Sequence, residues 1–134
     1  MKIKKNILIG EFLGSCFLVM IIVGSGIMAE NLTNDDGIKL LANTIATGAG
    51  LFVLITAFTD ISGPHFNPFV SLAMFFRKKI KSDLLKYYIP AQISGCLFGV
   101  MLANVFFEHA LLELSTKNRD GLHIFVSEIV ATFG

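Results

Sequence analysis

The stretch that decides the fold is Ile61-Ser62-Gly63-Pro64-His65-Phe66-Asn67-Pro68-Phe69-Val70-Ser71, which lies between hydrophobic segments. Asn67 is suited to cap a helix, because its side-chain oxygen can accept an N–H of the first turn. Pro68 fits the first helical position, where no N–H is needed and its fixed φ is already helical. The apolar residues 70–76 continue the predicted helix up to the basic run Arg77, Lys78 and Lys79.

This predicted helix is too short to cross a membrane. It has 10 residues from Asn67 to Phe76, or about 15 Å at about 1.5 Å per residue, whereas a hydrocarbon core is about 30 Å thick. A loop that enters the membrane and returns through a half-length helix is stable only where it lines a water-filled cavity or is buried in protein. Residues 61–76 therefore indicate a re-entrant loop and half-helix that form part of a pore.

The composition indicates a membrane protein. Of the 134 residues, 54% are hydrophobic and 16% are charged, against about 25% charged on average in soluble proteins. The formal net charge of +1 gives no electrostatic argument for a nucleic-acid partner. Cys16 and Cys96 lie in hydrophobic runs without metal-ligand spacing, and we interpret them as small buried residues. We expect the lipid bilayer as the surroundings, and no metal or cofactor.

Three hydrophobic segments are long enough to span a bilayer, at about residues 6–28, 38–60 and 84–107. A polar loop at 30–37 separates the first two, and a basic turn at 77–86 precedes the third. A fourth segment begins at about residue 122 and is too short to span. The alternative for the first segment is a signal peptide, because a basic start precedes it. Glu11, the length of the segment and the later spans argue against that alternative.

Small residues mark the faces on which these helices are expected to pack. Gly95 and Gly99 are four residues apart within the third span, and this spacing favours close approach of a neighbouring helix. The second span is also rich in small residues, namely Ala42, Ala46, Gly48, Ala49 and Gly50. Asn43 and Gln92 are interpreted as groups that hydrogen-bond between helices, with pore lining as the alternative.

The basic residues predict the orientation. Eight of them fall on one side of a three-span arrangement, namely Lys2, Lys4, Lys5, Arg77, Lys78, Lys79, Lys81 and Lys86. Only Lys39, Lys117 and Arg119 fall on the other side. By the positive-inside rule the N-terminus and the 77–86 turn lie in the cytoplasm. We therefore expect a multi-pass protein of the cell membrane, whose loop at 61–66 enters from the cytoplasmic side.

The stretch from Ser62 to Phe69 resembles the first-half signature of the aquaporin and glycerol-facilitator family, the major intrinsic proteins. That signature reads Ser-Gly-x-His-x-Asn-Pro-Ala, and here it stands as Ser62, Gly63, Pro64, His65, Phe66, Asn67, Pro68 and Phe69. Two further features are similar. Glu11-Phe12-Leu13-Gly14 looks like the family's Glu-Phe-x-Gly, and Ala91-Gln92 with Gly95 and Gly99 looks like its third span.

The resemblance implies an all-α membrane protein built as an inverted repeat. Residues 1–134 would form one incomplete aquaporin-like domain: three transmembrane helices, one re-entrant half-helix and the start of a fourth helix. Residues 127–133 echo residues 10–16 in composition and position, as the opening of a second repeat would. The expected function is passive passage of water or small neutral solutes such as glycerol, with this chain as the first half of the pore. Family members assemble as tetramers, so a homo-oligomer is expected.

Two positions bear on the solute. Phe69 stands where the family has alanine, and its ring would either narrow the centre of the pore or turn aside into the packing. Thr47 aligns with the filter residue of the family's second span, which is phenylalanine in water-selective members. A threonine there leaves a wider and more polar constriction, and this favours small polyols or other neutral solutes.

The resemblance also suggests roles for the remaining residues of the motif. The Asn67 amide N–H₂ would donate to the oxygen of a passing solute, and the positive helix N-terminus after it would disfavour cations and protons. The alternative is that Asn67 with Pro68 only begins a helix. Ser62, Gly63 and Pro64 would offer backbone carbonyls to the solute, although Gly63 is equally interpretable as a turn residue.

Three polar side chains of the motif have structural interpretations. His65 either lines the vestibule or, as we favour, holds the loop through hydrogen bonds. Glu11 is an ionisable group near a membrane boundary, where function is the first hypothesis; the resemblance implies instead that it accepts N–H bonds from the re-entrant loop. Gln92 is expected to support that loop as well.

Two other functions compete with the channel. One is a truncated, non-conducting membrane fragment or assembly partner of the same ancestry. The other is an intramembrane hydrolase in which His65 activates Ser62 or Ser71. Such an enzyme needs hydrogen-bond reach between the pair and an oxyanion site, and no acidic residue that would orient the histidine adjoins them in the sequence. We therefore expect no enzymatic activity.

Overall fold

A computed structural model describes the backbone of residues 2–113 and 121–133, with side chains for residues 5–113 and 121–130. Lys117 and Arg119, which enter the charge count above, lie outside the described residues. Within those residues the chain forms five α-helices, which are α1 (Lys2–Leu32), α2 (Asp36–Ser62), α3 (Pro68–Phe76), α4 (Ser82–Phe106) and α5 (Leu122–Phe133). The order of two long helices, one short helix, a third long helix and a further helix is the one predicted.

The three long helices can cross a membrane by length and composition. These candidate spans cover Lys5–Leu32, Asp36–Ser62 and Ser82–Phe106. The short helix α3 has 9 residues, or about 14 Å at about 1.5 Å per residue. The all-α membrane fold class is therefore confirmed.

The connection between α1 and α2 is shorter than the polar loop predicted at residues 30–37. Helix α1 continues through Leu32, and α2 begins at Asp36. The reason is local capping: the Asp35 carboxylate accepts the N–H of Ile38 at 3.0 Å and so determines where α2 starts. Helix α2 also runs through Ser62, so the connection to α3 comprises residues 63–67 rather than beginning at Ile61.

Helix α1 is the centre of the packing. It contacts both α2 and α4, and α3 packs against α4. Helix α5 makes no helix–helix contact within the part of the chain that the structure describes. Helix α1 therefore holds together the two helices, α2 and α4, that flank the loop at 63–67 and α3 in the sequence.

Two glycines allow α4 to lie directly on the backbone of α1. A Cβ at Gly95 would overlap the carbonyl oxygen of Phe12, and a Cβ at Gly99 would overlap that of Cys16. These contacts confirm the predicted close packing of the Gly95-x-x-x-Gly99 face. Cys16 is buried and Cys96 is half-buried, both as free thiols.

The contact between α1 and α2 is tight at one end and polar at the other. At the first end, a Cβ at Gly10 would lie 2.6 Å from the Ser62 side chain. At the other end, the Asn43 amide donates to the backbone oxygen of Ile22 at 2.8 Å and to the Ser25 hydroxyl at 3.1 Å. The predicted interhelical hydrogen bond of Asn43 is confirmed.

We expect Gly95→Ala to lower the free energy of unfolding by about 1–3 kcal/mol, the usual cost of overpacking, because the new methyl group meets a backbone carbonyl. The measurement is unfolding in detergent micelles followed by circular dichroism. Gly48→Ala is the matched control, since a Cβ at Gly48 meets nothing within 4 Å and alanine favours the helix. Equal stability of the two variants would contradict the packing described for α1 and α4.

Candidate functional site

The Glu11 carboxylate lies at the centre of a buried hydrogen-bond network. Its Oε1 accepts the backbone N–H of His65 at 3.0 Å and the Ser62 hydroxyl at 3.3 Å. Its Oε2 accepts the backbone N–H of Phe66 at 2.8 Å and the Gln92 amide at 2.7 Å. Glu11 has no exposed surface. One side chain of α1 therefore joins the end of α2, the following loop and α4.

All four partners of Glu11 donate, which suits an ionised carboxylate. A carboxylate is an acceptor only, with about four lone-pair sites on its two oxygens. Hydrogen bonds to a charged acceptor are shorter and about twice as strong as neutral ones, and a buried charge is tolerated only with such partners. The two backbone N–H groups among the donors fix the path of the loop at residues 65 and 66.

Gln92 extends the network from Glu11 to the first turn of α3. Its Nε2 also donates to the Ser71 hydroxyl at 2.9 Å, and both residues have no exposed surface. If the Gln92 amide were flipped, its oxygen would face the Glu11 carboxylate oxygen and the Ser71 hydroxyl in place of the N–H₂ group. Two acceptors would then oppose each other at Glu11. Gln92 therefore attaches α3 to α4 while it supports the carboxylate that holds the loop.

His65 is held on two sides. Its Nδ1 lies 2.9 Å from the Ser71 Oγ, and its ring stacks on that of Tyr88 with the centroids 4.4 Å apart. The Tyr88 hydroxyl donates to the backbone oxygen of Ser62 at 2.7 Å. Burial lowers the pKa of the His65 imidazole, and the Glu11 carboxylate opposes that shift. These contacts agree with the loop-holding interpretation of His65.

Phe66 locks the loop against α1. Its φ is 50°, a left-handed conformation that costs a non-glycine residue about 1–3 kcal/mol. The ring is buried and fills the space at Gly14, where a Cβ would overlap it. It packs edge-on against the Phe58 ring, with the two ring centroids 5.6 Å apart. Burial of the ring and the N–H bond to Glu11 offset the backbone strain.

Asn67 and Pro68 begin α3 as predicted. The Asn67 Oδ1 accepts the N–H of Phe69 at 2.8 Å, and Pro68 takes the first helical position. Asn67 is exposed, and its Nδ2 donates no hydrogen bond to any of the described residues. Phe69 is 71% exposed, so its ring does not turn into the packing of this part of the chain.

The backbone carbonyls before the helix have different environments. Ser62 is buried and its carbonyl already accepts the Tyr88 hydroxyl. Gly63 is exposed and ends α2 with a left-handed φ of 63°, which glycine adopts without steric cost. Gly63 is therefore a turn residue by conformation, and its carbonyl accepts the Tyr88 hydroxyl only at the longer distance of 3.4 Å.

Thr47 is placed by the register of α2. Asn43 and Gly50 on the same stripe both contact α1, and Thr47 is half-buried between them. Its Oγ1 is buried and has no hydrogen-bond partner among the described residues. By contrast, Thr44, Thr56 and Thr59 each bond the carbonyl one turn earlier.

The serine and histidine of the hydrolase hypothesis do meet, but a substrate cannot reach them. Ser71 has no exposed surface, and its hydroxyl also accepts the Gln92 amide. The alternative nucleophile, Ser62, bonds to the Glu11 carboxylate. The burial of both hydroxyls argues against nucleophilic attack on any carbonyl outside this network.

Sequence reasoning missed the supporting roles of Tyr88, Ser71 and Phe66. A helical signal was available for two of them. Tyr88 precedes Gln92 by one turn of α4, and Ser71 follows Asn67 by one turn of α3, so each shares a face with a residue already singled out. The position of the Phe66 ring has no such local signal, because the ring packs against Gly14, which lies in α1 and is distant in the sequence.

Comparisons with known proteins agree with the resemblance described above. The profile of the major intrinsic protein family matches residues 1–134. Aquaglyceroporin AqpS of Rhizobium meliloti is 45% identical over 94% of this chain and 54% of its own length. Aquaporin NIP3-1 of Arabidopsis thaliana is 32% identical over 94% of this chain and 41% of its own length.

The other curated relatives are also matched in part. Aquaporin A of Dictyostelium discoideum is 35% identical over 66% of this chain and 32% of its own length. The chain thus spans about half the length of the relatives it matches, or less. No solved structure matches it significantly.

We expect Glu11→Gln to free the loop at residues 63–67, because an amide offers one acceptor oxygen where the carboxylate offers two. The free energy that holds the loop in place should fall by about 2–4 kcal/mol, because buried N–H donors lose a charged acceptor. Hydrogen exchange should show the amides of His65 and Phe66 protected in the wild type and exchanging at least tenfold faster in the variant.

Glu108→Gln is the control, because Glu108 is exposed at the end of α4 and the same change there should leave those amides protected. Unchanged protection of residues 65 and 66 in Glu11→Gln would show that the carboxylate does not hold the loop.

Proposed function

The chain belongs to the major intrinsic protein family, and we propose that it supplies the first half of a passive pore for water or small neutral solutes such as glycerol. Two of its relatives carry names that describe channels for water or for glycerol and water. The proposal rests on one observation, which is the exposed Asn67 amide at the N-terminus of α3.

The environment of Asn67 supports a role in passing a solute. Its Oδ1 is used by the N–H of Phe69, so the amide is oriented and its N–H₂ remains available. The half-positive charge of a helix N-terminus acts at the same place. A neutral solute can exchange a water hydrogen bond for one from this amide, while a cation or proton meets an unfavourable potential.

The network around Glu11 supplies the rigidity that such a site needs. Residues 65 and 66 are held through their backbone N–H groups, and Ser71 in the first turn of α3 is held from α4. Asn67 lies between these two attachments. A donor that is already positioned does not have to reorganise when the solute arrives, which suits rapid passage.

The acceptors of the proposed pore are backbone carbonyls before the half-helix. Pro64 is the better candidate, because the Tyr88 hydroxyl donates to the carbonyl of Ser62 at 2.7 Å and, more weakly, to that of Gly63 at 3.4 Å. His65 lines the cytoplasmic vestibule only with the edge that its stacking on Tyr88 leaves open. Donor and acceptors together would strip and replace the hydration of solutes in single file.

Thr47 and Phe69 would set the width of the passage. Thr47 has a buried hydroxyl without a hydrogen-bond partner among the residues that the structure describes, so it can turn towards a solute without breaking a bond to any of them. Phe69 presents its ring at the first turn of α3 and is 71% exposed. We infer a passage that accepts small polyols as well as water.

We further propose that the protein lies in the cell membrane with its N-terminus in the cytoplasm. The distribution of lysine and arginine supports this orientation. A homo-tetramer is proposed by resemblance to the family. The surface of α2 is consistent with lipid or subunit contacts, because Leu40 and Phe52 on it are 70% and 72% exposed.

We expect Asn67→Asp to lower neutral-solute flux and to admit cations. The carboxylate removes the N–H₂ donor and adds a negative charge at the helix N-terminus. Loss of a hydrogen bond worth about 1–1.5 kcal/mol corresponds to about tenfold slower flux. Stopped-flow shrinkage of proteoliposomes, with water and glycerol run separately, measures this, and a potential-sensitive dye reports cation entry.

Asn34→Asp makes the same charge change at an exposed position between α1 and α2, and it should leave both readouts unchanged. If Asn67→Asp has wild-type flux and no cation leak, Asn67 is only a helix cap. If the wild-type protein passes water but not glycerol, the solute class inferred from Thr47 is overturned.

A further inference from the structure

An apolar groove runs between α1 and α4 on the outside of the helix pair. It has a volume of about 400 Å³ and is lined by Leu8, Ile9 and Leu13 from α1 and by Pro90, Ala91 and Ser94 from α4. We call it the α1–α4 groove. It is separate from the Glu11 network, which lies on the buried side of the same two helices.

The walls of the groove suit a hydrocarbon chain. Leu8, Ile9 and Leu13 are 40%, 48% and 36% exposed, so each keeps open apolar surface within the described part of the chain. Ser94 contributes a hydroxyl, but this donates to the backbone oxygens of Pro90 and Ala91 at 2.8 and 3.1 Å. Because that hydroxyl is satisfied within its own helix, the lining offers no polar group to an occupant.

One end of the groove is basic. The Gly95 contact with Phe12 and the Gly99 contact with Cys16 show that α1 and α4 run in parallel. Lys5 lies seven residues before Phe12, and Lys86 lies nine residues before Gly95. At about 1.5 Å per residue the two lysines are therefore about 3 Å apart along the helix axes.

The register of each helix brings these groups to the groove face. Lys5 precedes Ile9 by one turn, and Tyr87 precedes Ala91 by one turn, so each continues its wall of the groove. Lys86 precedes Pro90 of the same wall by one turn, and its Nζ lies 5.8 Å from the centroid of the Tyr87 ring. Its ion pair with Asp83 is 3.6 Å long and solvent-exposed, and it is therefore weak.

We propose that the α1–α4 groove binds an acyl chain of an anionic phospholipid, whose phosphate is bound by Lys5 and Lys86. Charge complementarity favours this occupant over a second copy of the chain, which would have to cover both ammonium groups. Lysine and tyrosine are the residues expected at headgroup depth. The basic end is also the one that the positive-inside rule assigns to the cytoplasm, where the leaflet is rich in anionic lipid.

The absence of tryptophan from the sequence allows a direct test. Leu13→Trp places one reporter in the groove wall, and Phe52→Trp places a matched reporter on α2, where Phe52 is 72% exposed. Each chain is reconstituted in nanodiscs with phosphatidylglycerol or phosphatidylcholine of the same brominated acyl chains. We expect phosphatidylglycerol to quench the groove reporter at about a tenfold lower mole fraction of lipid than phosphatidylcholine does. The reporter on α2 should be quenched equally by the two lipids.

The double substitution Lys5→Ala and Lys86→Ala should abolish that preference, because it removes both charges and leaves the apolar walls. Equal quenching of the groove reporter by the two lipids would overturn the proposal in favour of ordinary lipid contact. Quenching by neither lipid would overturn it in favour of a second copy or another protein segment in the groove.

Native mass spectrometry of the unmodified chain tests the same proposal without a reporter. The wild type should retain phosphatidylglycerol through delipidation, and the double lysine variant should not. Failure of the wild type to retain it in preference to phosphatidylcholine would contradict the site. None of these measurements depends on whether the pore conducts.

Discussion

The buried carboxylate of Glu11 is the interaction on which the rest of the structure depends. It accepts hydrogen bonds from two backbone N–H groups of the loop, from Ser62 and from Gln92. In a low-dielectric interior, charge-assisted bonds are strong, and an unpaired charge would be very costly. The carboxylate therefore requires its donors as much as they require it, and this mutual requirement determines one path for the loop.

The close packing of α1 makes that network possible. Glu11 reaches both the loop and α4 only because Gly95 and Gly99 let the helix backbones touch. On its other side, Gly10 and Gly14 leave room for Ser62 and the Phe66 ring. Small residues around one acidic side chain thus bring four segments within hydrogen-bond reach. The exposed amide of Asn67 takes its position from this arrangement rather than from contacts of its own.

Local chemistry explains what the sequence could predict. The start of α3 followed from Asn67 and Pro68, since both act on adjacent backbone groups, and Gly95 with Gly99 predicted the close contact with α1. Long-range packing explains what was missed. Tyr88 bonds a carbonyl 26 residues away, and the Phe66 ring fills a space provided by another helix. The first connection was predicted too long because Asp35 caps α2 close to the end of α1.

The central claim is that Asn67 faces water inside the membrane, and thiol labelling tests it most directly. With Cys16 and Cys96 replaced by alanine, Asn67→Cys is treated in sealed vesicles with a small, membrane-impermeant thiol reagent. Phe52→Cys, on the apolar surface of α2, is the control. The account predicts that Asn67→Cys is labelled from the cytoplasmic side and that Phe52→Cys is not. If Asn67→Cys is no more reactive than Phe52→Cys, there is no water-filled passage at the start of α3 and the account is contradicted.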